Sequence, residues 1–245
     1  MHTEFFSHYS QALGKDMNMR IYGHDGASFL VFPTQDGTAN QMEDFGIINL
    51  LSDYIEGGLI QLFVVDTNDK ESWSLKDGDP SWRAQRQESY YHYIIDEVLP
   101  LMRGYNERPP FTMGMSLGAN HAAITFLRRP DLFSGMLALS GVFDTDFFFG
   151  GFMDPVLYDN SPERFLPNMS PEHPYIDLYN QKKIVFCVGQ GAWEEDGVRT
   201  LRFLQNVFES KGIHAWCDFW GYDVNHDWPW WFKQIRYFLP FLLDN

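Results

Sequence analysis

Phe111-Thr112-Met113-Gly114-Met115-Ser116-Leu117-Gly118-Ala119-Asn120-His121-Ala122-Ala123-Ile124 is the stretch whose reading decides the fold. Phe111-Thr112-Met113 is a short apolar run that predicts a strand. From Leu117 to about Arg128 the apolar spacing turns helical. Between them lies G-x-S-x-G, Gly114 to Gly118. A serine on so sharp a strand-to-helix turn is strained, and its hydroxyl projects from the C-terminal edge of the sheet. The flanking glycines let strand and helix cross closely. The pentapeptide alone is a weak signal, because Gly and Ser are common; its position between strand and helix makes it a strong one.

Outward from this turn the chain alternates between strand and helix periodicity. Upstream, strands are predicted at Met17 to Tyr22, Ala27 to Phe32 and Leu59 to Val65. Helical patterns run through Ile47, Ile48, Leu51 and Ile55, and from Trp82 to Met102. Downstream come strands at Met136–Leu139, Ile184–Val188 and Ile213–Phe219. Helices follow from about Asp196 to Lys211, with Gly212 as C-cap, and from Trp230 to Leu243. This alternation predicts an α/β chain with a mostly parallel central sheet and helices on both faces. From Gly141 to Pro174 no clean period is visible, but Phe143, Phe147, Phe148, Phe149, Phe152, Tyr158 and Phe165 accumulate. The expectation is one domain over 1–245 with an irregular, aromatic-rich, lid-like insertion at about 142–174.

Composition bounds the partners. A 44% hydrophobic chain of 245 residues supports a sizeable core and excludes disorder. Its net charge of −15 repels phosphate backbones and anionic lipid, so neither nucleic acid nor a membrane surface is an expected partner. Two cysteines, Cys187 and Cys217, give no disulfide framework, and both fall in predicted strands as inert buried thiols. No apolar run is long enough to span a bilayer, and Met1 to His8 lacks the pattern of a signal peptide. A cytoplasmic location is therefore expected, and assembly into a homo-oligomer stays open.

An activated serine needs a base, and the base an orienting acid, in the chain order Ser, Asp/Glu, His. Of the eight histidines only His226 lies in the last loop, after the final strand and before the last helix. His121, inside the helix after Ser116, is expected to pack or cap. The acid is expected after the strand Ile184–Val188, where Glu194-Glu195-Asp196 occur in a row. Acids that open a helix complement its dipole anyway, so Glu194 is favoured, Glu195 is the alternate, and Asp196 is expected to cap. An oxyanion needs two backbone donors. Leu117 supplies one; the other comes from the loop after Phe32, where Pro33 has no N–H and Thr34 or Gln35 remains. Phe147, Phe152 and Trp228 are candidate substrate-binding aromatics. Asp66-Thr67-Asn68-Asp69 reads as a structural turn rather than a metal loop. No metal or cofactor is required.

Val31-Phe32-Pro33-Thr34-Gln35-Asp36-Gly37, the Gly114–Gly118 turn, Gly189-Gln190-Gly191-Ala192-Trp193-Glu194-Glu195 and Phe219 to Trp231 together resemble the α/β-hydrolase superfamily. Within it, the chain is similar to the group of esterase D, bacterial feruloyl esterases and the mycobacterial antigen 85 acyltransferases. The resemblance spans about residues 5 to 243 and implies an α/β-hydrolase fold with Ser116 as nucleophile, His226 as base and Glu194 or Glu195 as acid. Many relatives carry His-Gly where this chain has Phe32-Pro33-Thr34. The expected activity is serine carboxylesterase action on a small-molecule ester, short-chain acyl or aryl, through an acyl-enzyme. Alternatives are acyl transfer by the same residues, or a non-catalytic binding protein on the same fold.

Overall fold

Residues 1–244 are described by a computed structural model. The apolar runs read above become the buried strands of one eight-stranded sheet. They are β1 (Thr3–Ser10), β2 (Lys15–Tyr22), β3 (Ala27–Phe32), β4 (Ile60–Val65), β5 (Phe111–Met115), β6 (Gly135–Leu139), β7 (Lys183–Val188) and β8 (Trp216–Phe219). Their spatial order is β1-β2-β4-β3-β5-β6-β7-β8. β1 and β2 form a hairpin and β2 runs antiparallel to β4, whereas every pairing from β4 to β8 is parallel. The central strands β4, β5 and β6 are buried along their whole length, as a sheet covered on both faces requires.

Twelve α-helices connect or follow these strands among the described residues. Before β5 come α1 (Gln41–Asp44), α2 (Ile47–Leu50), α3 (Ser52–Glu56), α4 (Pro80–His92) and α5 (Leu99–Tyr105). After β5 come α6 (Leu117–Arg128), α7 (Thr145–Phe149), α8 (Pro155–Asp159), α9 (Pro162–Asn168), α10 (Pro174–Asn180), α11 (Glu195–Lys211) and α12 (Trp228–Leu243). One face of the sheet is covered by α4, α5, α6 and α11, which share a core with Phe32, Phe63, Ala138 and Phe186. The other is covered by α2, α3 and α12, packed on Val31, Val64, Met113 and Leu137. The alternation of the two strand faces, period two, sends neighbouring residues of one strand into opposite cores.

Three differences from the sequence expectation have physical reasons. β1 shows no amphipathic strand pattern in sequence because it is an edge strand whose inward positions include polar Glu4, His8 and Ser10, while Phe5 and Tyr9 face outward. The pattern Ile47 to Ile55 is two short helices rather than one, broken at Leu51, whose φ of −102° and ψ of 12° leave the helical region. The segment at 142–174 contains α7, α8 and α9 where no regular structure was legible. Helices of five residues, as in α7 and α8, are too short to display a period. Their starts are nonetheless chemically marked, since Asp144 and Asp154 accept hydrogen bonds from the Asp146 and Leu157 amides.

The cysteines face opposite sides of the sheet. Cys187 pairs in register with Asp218, and Cys217 with Phe186, so the two thiols are not opposed. Burial pushes the Cys187 thiol far above its ordinary range and Cys217 up to about 12. Thiolate is therefore scarce at pH 8. Iodoacetamide at that pH is expected to leave Cys187 unmodified in the folded protein, whereas both cysteines alkylate in guanidinium; intact and peptide mass spectrometry reads the difference. Among the described residues no helix is long and apolar enough to cross a membrane.

Candidate active site

Ser116 sits at the turn between β5 and α6 with φ 55° and ψ −128°, a conformation an L-residue holds only when its surroundings impose it. Its amide donates to the Leu139 carbonyl of β6 at 2.9 Å, which ties the turn to the neighbouring strand. Glycine is obligatory on both sides. A Cβ on Gly114 would lie 2.1 Å from the Gly118 carbonyl oxygen, and one on Gly118 would lie 2.3 Å from that of Phe32. The second contact also shows that the start of α6 abuts the end of β3, where the Pro33–Gly37 loop begins.

The β8–α12 loop delivers His226. Its Nε2 is 2.9 Å from Ser116 Oγ, and its Nδ1 is 3.2 Å from Glu194 Oε2. A carboxylate only accepts, so Nδ1 carries the proton and Nε2 is free to accept from the serine hydroxyl. The two loops that meet here are joined by hydrogen bonds from backbone amides. Gly191 donates to the Val224 carbonyl at 2.8 Å, Ala192 to Asn225 Oδ1 at 2.8 Å, and His226 to the Ala192 carbonyl at 3.0 Å. The backbone of Trp193 is left-handed, φ 67°, with its indole in solvent, while the next side chain, Glu194, is 1% exposed.

Of the three consecutive acids, only Glu194 reaches His226. Glu195 is exposed in the first turn of α11. Asp196 does not cap the helix: the N-cap position belongs to Glu194, and Asp196 instead binds Arg199 at 3.0 Å. The Glu194 side chain makes no capping bond because both of its oxygens are committed inward.

Glu194 Oε1 accepts a 2.6 Å hydrogen bond from Ser140 Oγ, and Trp231 Nε1 donates to that same Ser140 oxygen at 3.0 Å. An indole N–H cannot accept, so it fixes the polarity of the chain: Ser140 receives from Trp231 and gives its own proton to the carboxylate. Trp231 also sets its ring edge-on to His226, with centroids 5.0 Å apart. Neither residue was singled out in the sequence for contact with the acid, and a serine at a strand end carries no pattern that would reveal it. Ser140→Ala removes one of two donors from a buried carboxylate. The expected result is a kcat about tenfold lower, the equivalent of roughly 1.4 kcal/mol, with KM unchanged.

In the Pro33–Gly37 loop the two candidate amides differ in their partners. The Thr34 N–H is already taken by Gln41 Oε1 at 2.7 Å, while Gln41 Nε2 donates to Thr34 Oγ1 at 2.9 Å. Asp36 N–H donates to Asp69 Oδ2 at 2.9 Å and Gly37 N–H to the Thr34 carbonyl at 2.9 Å. Among the described residues the Gln35 amide has no hydrogen-bond partner, nor does that of Leu117 at the start of α6. Of the two candidate amides, that of Thr34 is therefore occupied and that of Gln35 is open.

The candidate aromatics divide. Phe152 packs with Phe148 and Phe149 against the cluster that contains Leu117 and Trp73. Phe147 is exposed, with its ring edge-on to Phe148 at 5.0 Å. Trp228 stacks on Phe45 with centroids 4.2 Å apart and touches Trp231 edge-on at 5.1 Å. His121 is neither a cap nor a simple packing residue, since its Nε2 is 2.7 Å from Asp69 Oδ1 in a fully buried pair. Among the described residues no group of three or more His, Cys, Asp or Glu side chains is arranged to hold a metal.

Comparisons agree with this architecture. The superposed ferulic acid esterase has a TM-score of 0.75 at 16% identity, covering 99% of this chain and 97% of that one. MPT51 of Mycobacterium tuberculosis gives 0.73 at 14% identity, covering 99% and 98%. The S-formylglutathione hydrolase of Staphylococcus aureus gives 0.68 at 13% identity, covering the whole of both chains, 100% and 100%. At such identities the likeness carries the fold, the α/β-hydrolase fold, and not the substrate. A comparison of the sequence with curated proteins returns no match. The family described as "Putative esterase" matches residues 10–242, nearly the whole chain. The chain thus belongs to that esterase family and has the α/β-hydrolase fold.

Proposed function

We propose that Ser116, His226 and Glu194 are the catalytic triad of this esterase and that it hydrolyses small carboxylic esters through an acyl-enzyme. The observation that carries the reading is the unbroken series from the Ser116 hydroxyl through His226 to buried Glu194, at 2.9 and 3.2 Å. His226 Nε2 takes the Ser116 proton as Oγ attacks the ester carbonyl. Glu194 holds the imidazole in the required tautomer and stabilises the imidazolium that forms. The Leu117 and Gln35 amides receive the oxyanion. The imidazolium then protonates the departing alcohol. A water, deprotonated by the same ring, resolves the acyl-enzyme and frees the acid.

The substrate is a neutral ester with a short acyl chain or an aryl group. The chain's net charge of −15 disfavours anionic substrates, and the partly exposed ring of Trp228, stacked on Phe45 two residues from His226, favours a flat or compact apolar group. Incubation with a fluorophosphonate followed by peptide mapping is expected to give one adduct, on Ser116, with no adduct in Ser116→Ala. Labelling elsewhere, or none, contradicts the assignment. p-Nitrophenyl esters from acetate to decanoate, with a phenyl ester beside them, then read the acyl preference.

A further inference from the structure

We propose that the buried pair Asp69–His121 is a positioning device for the oxyanion hole, locking the Pro33–Gly37 loop to the helix that follows the nucleophile. The inference rests on the esterase reading above and adds residues to it that lie outside the triad. Asp69 and His121 are buried almost completely, at 0% and 1% side-chain exposure. A carboxylate and an imidazole withdrawn from water are costly unless each is satisfied, so such a pair persists where its geometry is needed or where every bond is made. Here the bonds are directional. Asp69 Oδ1 faces His121 Nε2 at 2.7 Å, and its second oxygen, Oδ2, accepts the Asp36 amide at 2.9 Å. One carboxylate thus joins α6, the helix that presents Leu117, to the loop that presents Gln35.

The ring of His121 is itself held. It stacks on Phe32, the last residue of β3, with centroids 5.8 Å apart, and stands edge-on to Tyr90 at 5.0 Å and Trp73 at 6.4 Å. The loop it restrains is strained. Asp36 has φ 59°, uncommon for a residue with a side chain, and its carboxylate is pinned by Ser74 Oγ at 2.6 Å. On the other side Gln41 occupies the Thr34 amide. Gln35 is therefore bracketed by two captured amides, and its own N–H is the one that a developing oxyanion can claim. A loop that had to order itself during the reaction would lose part of the benefit that preorganised donors provide. Asp69, set in place by His121, removes that step.

The test uses the full chain with p-nitrophenyl acetate, after the wild-type protein has been shown to label at Ser116 with a fluorophosphonate. Asp69→Ala is expected to lower kcat about 10- to 100-fold, part of the loss of one oxyanion donor, with KM within about twofold. Affinity for a trifluoromethyl ketone, which forms a tetrahedral adduct on the serine, falls by the same factor as kcat. Asp69→Asn retains an acceptor for the Asp36 amide and a donor toward His121, and is expected to keep kcat within about threefold. A general loss of packing in Asp69→Ala would lower the melting temperature without the matched fall of kcat and trifluoromethyl ketone affinity at constant KM. Folding is checked by circular dichroism. Should Asp69→Ala not fold, Ser74→Ala releases only the Asp36 side chain and is expected to lower kcat about threefold at constant KM. Unchanged kcat in folded Asp69→Ala overturns the proposal, as does a collapse of kcat in Asp69→Asn, or unchanged kcat in Ser74→Ala where it replaces an unfolded Asp69→Ala. Absence of labelling in the wild-type protein overturns the esterase reading itself, and this inference with it.

Discussion

Ser116→Ala is expected to lower kcat for p-nitrophenyl acetate by about 10⁴- to 10⁶-fold while leaving KM near the wild-type value. The effect is large because the covalent route has one nucleophile, and the only other hydroxyl close to the acid, Ser140, gives its proton to Glu194 instead of to a base. What survives is the rate that the Leu117 and Gln35 amides can lend to attack by water. The substitution does not touch the fold. Alanine inherits the same φ of 55°, and the amide bond from residue 116 to the Leu139 carbonyl is a backbone bond that remains. The melting temperature is accordingly expected to stay within about 2 °C, since the change removes no buried apolar contact. Stopped-assay kinetics with active-site titration separate true residual catalysis from contaminating wild-type enzyme. A residual rate within tenfold of wild type would falsify the assignment of Ser116 as nucleophile.

The sequence was legible where physics forces a local pattern. β3 and β4 are buried on both faces, so they must be largely apolar, Ser28 and Gln61 apart, and Ala27–Phe32 is bounded as read. Ser116 stood out because a serine between two glycines, with strand before and helix after, is a backbone solution to one steric problem. His226 stood out through chain order alone. The rest depends on contacts between residues far apart, which leave no local trace. Glu194 and Glu195 look alike at a helix start, and what separates them is the backbone kink at Trp193. Ser140, 54 residues from Glu194 in sequence, is an ordinary serine until β6 and β7 lie side by side. Asp69 reads in sequence as a turn residue and opens the short 3₁₀ helix Asp69–Glu71; that its carboxylate meets His121 follows only from the approach of α6 to the loop after β4. The same holds for Gln41, which occupies the Thr34 amide from a short helix without a visible period.

The two glutamates provide the other large expected effect, and they provide it as a contrast. Glu194→Gln keeps the volume of a fully buried side chain but replaces one acceptor by an amide that can donate. An amide N–H facing His226 Nδ1 favours the tautomer with its proton on Nε2, which cannot accept from Ser116. Loss of the compensating charge also leaves the imidazolium of the transition state without its buried counter-charge. Together these are expected to lower kcat by about 10³- to 10⁴-fold. Glu195→Gln changes an exposed residue in the first turn of α11. It forfeits only a favourable interaction with the helix dipole, about 0.3–1 kcal/mol of stability, and kcat is expected to remain within about twofold. The two variants carry the same change of charge at adjacent positions, so a field effect of the net charge would depress both alike. Rates of fluorophosphonate labelling should follow kcat, because both report how readily Ser116 loses its proton to His226. Comparable losses in the two variants, or a larger one in Glu195→Gln, would transfer the acid role away from Glu194.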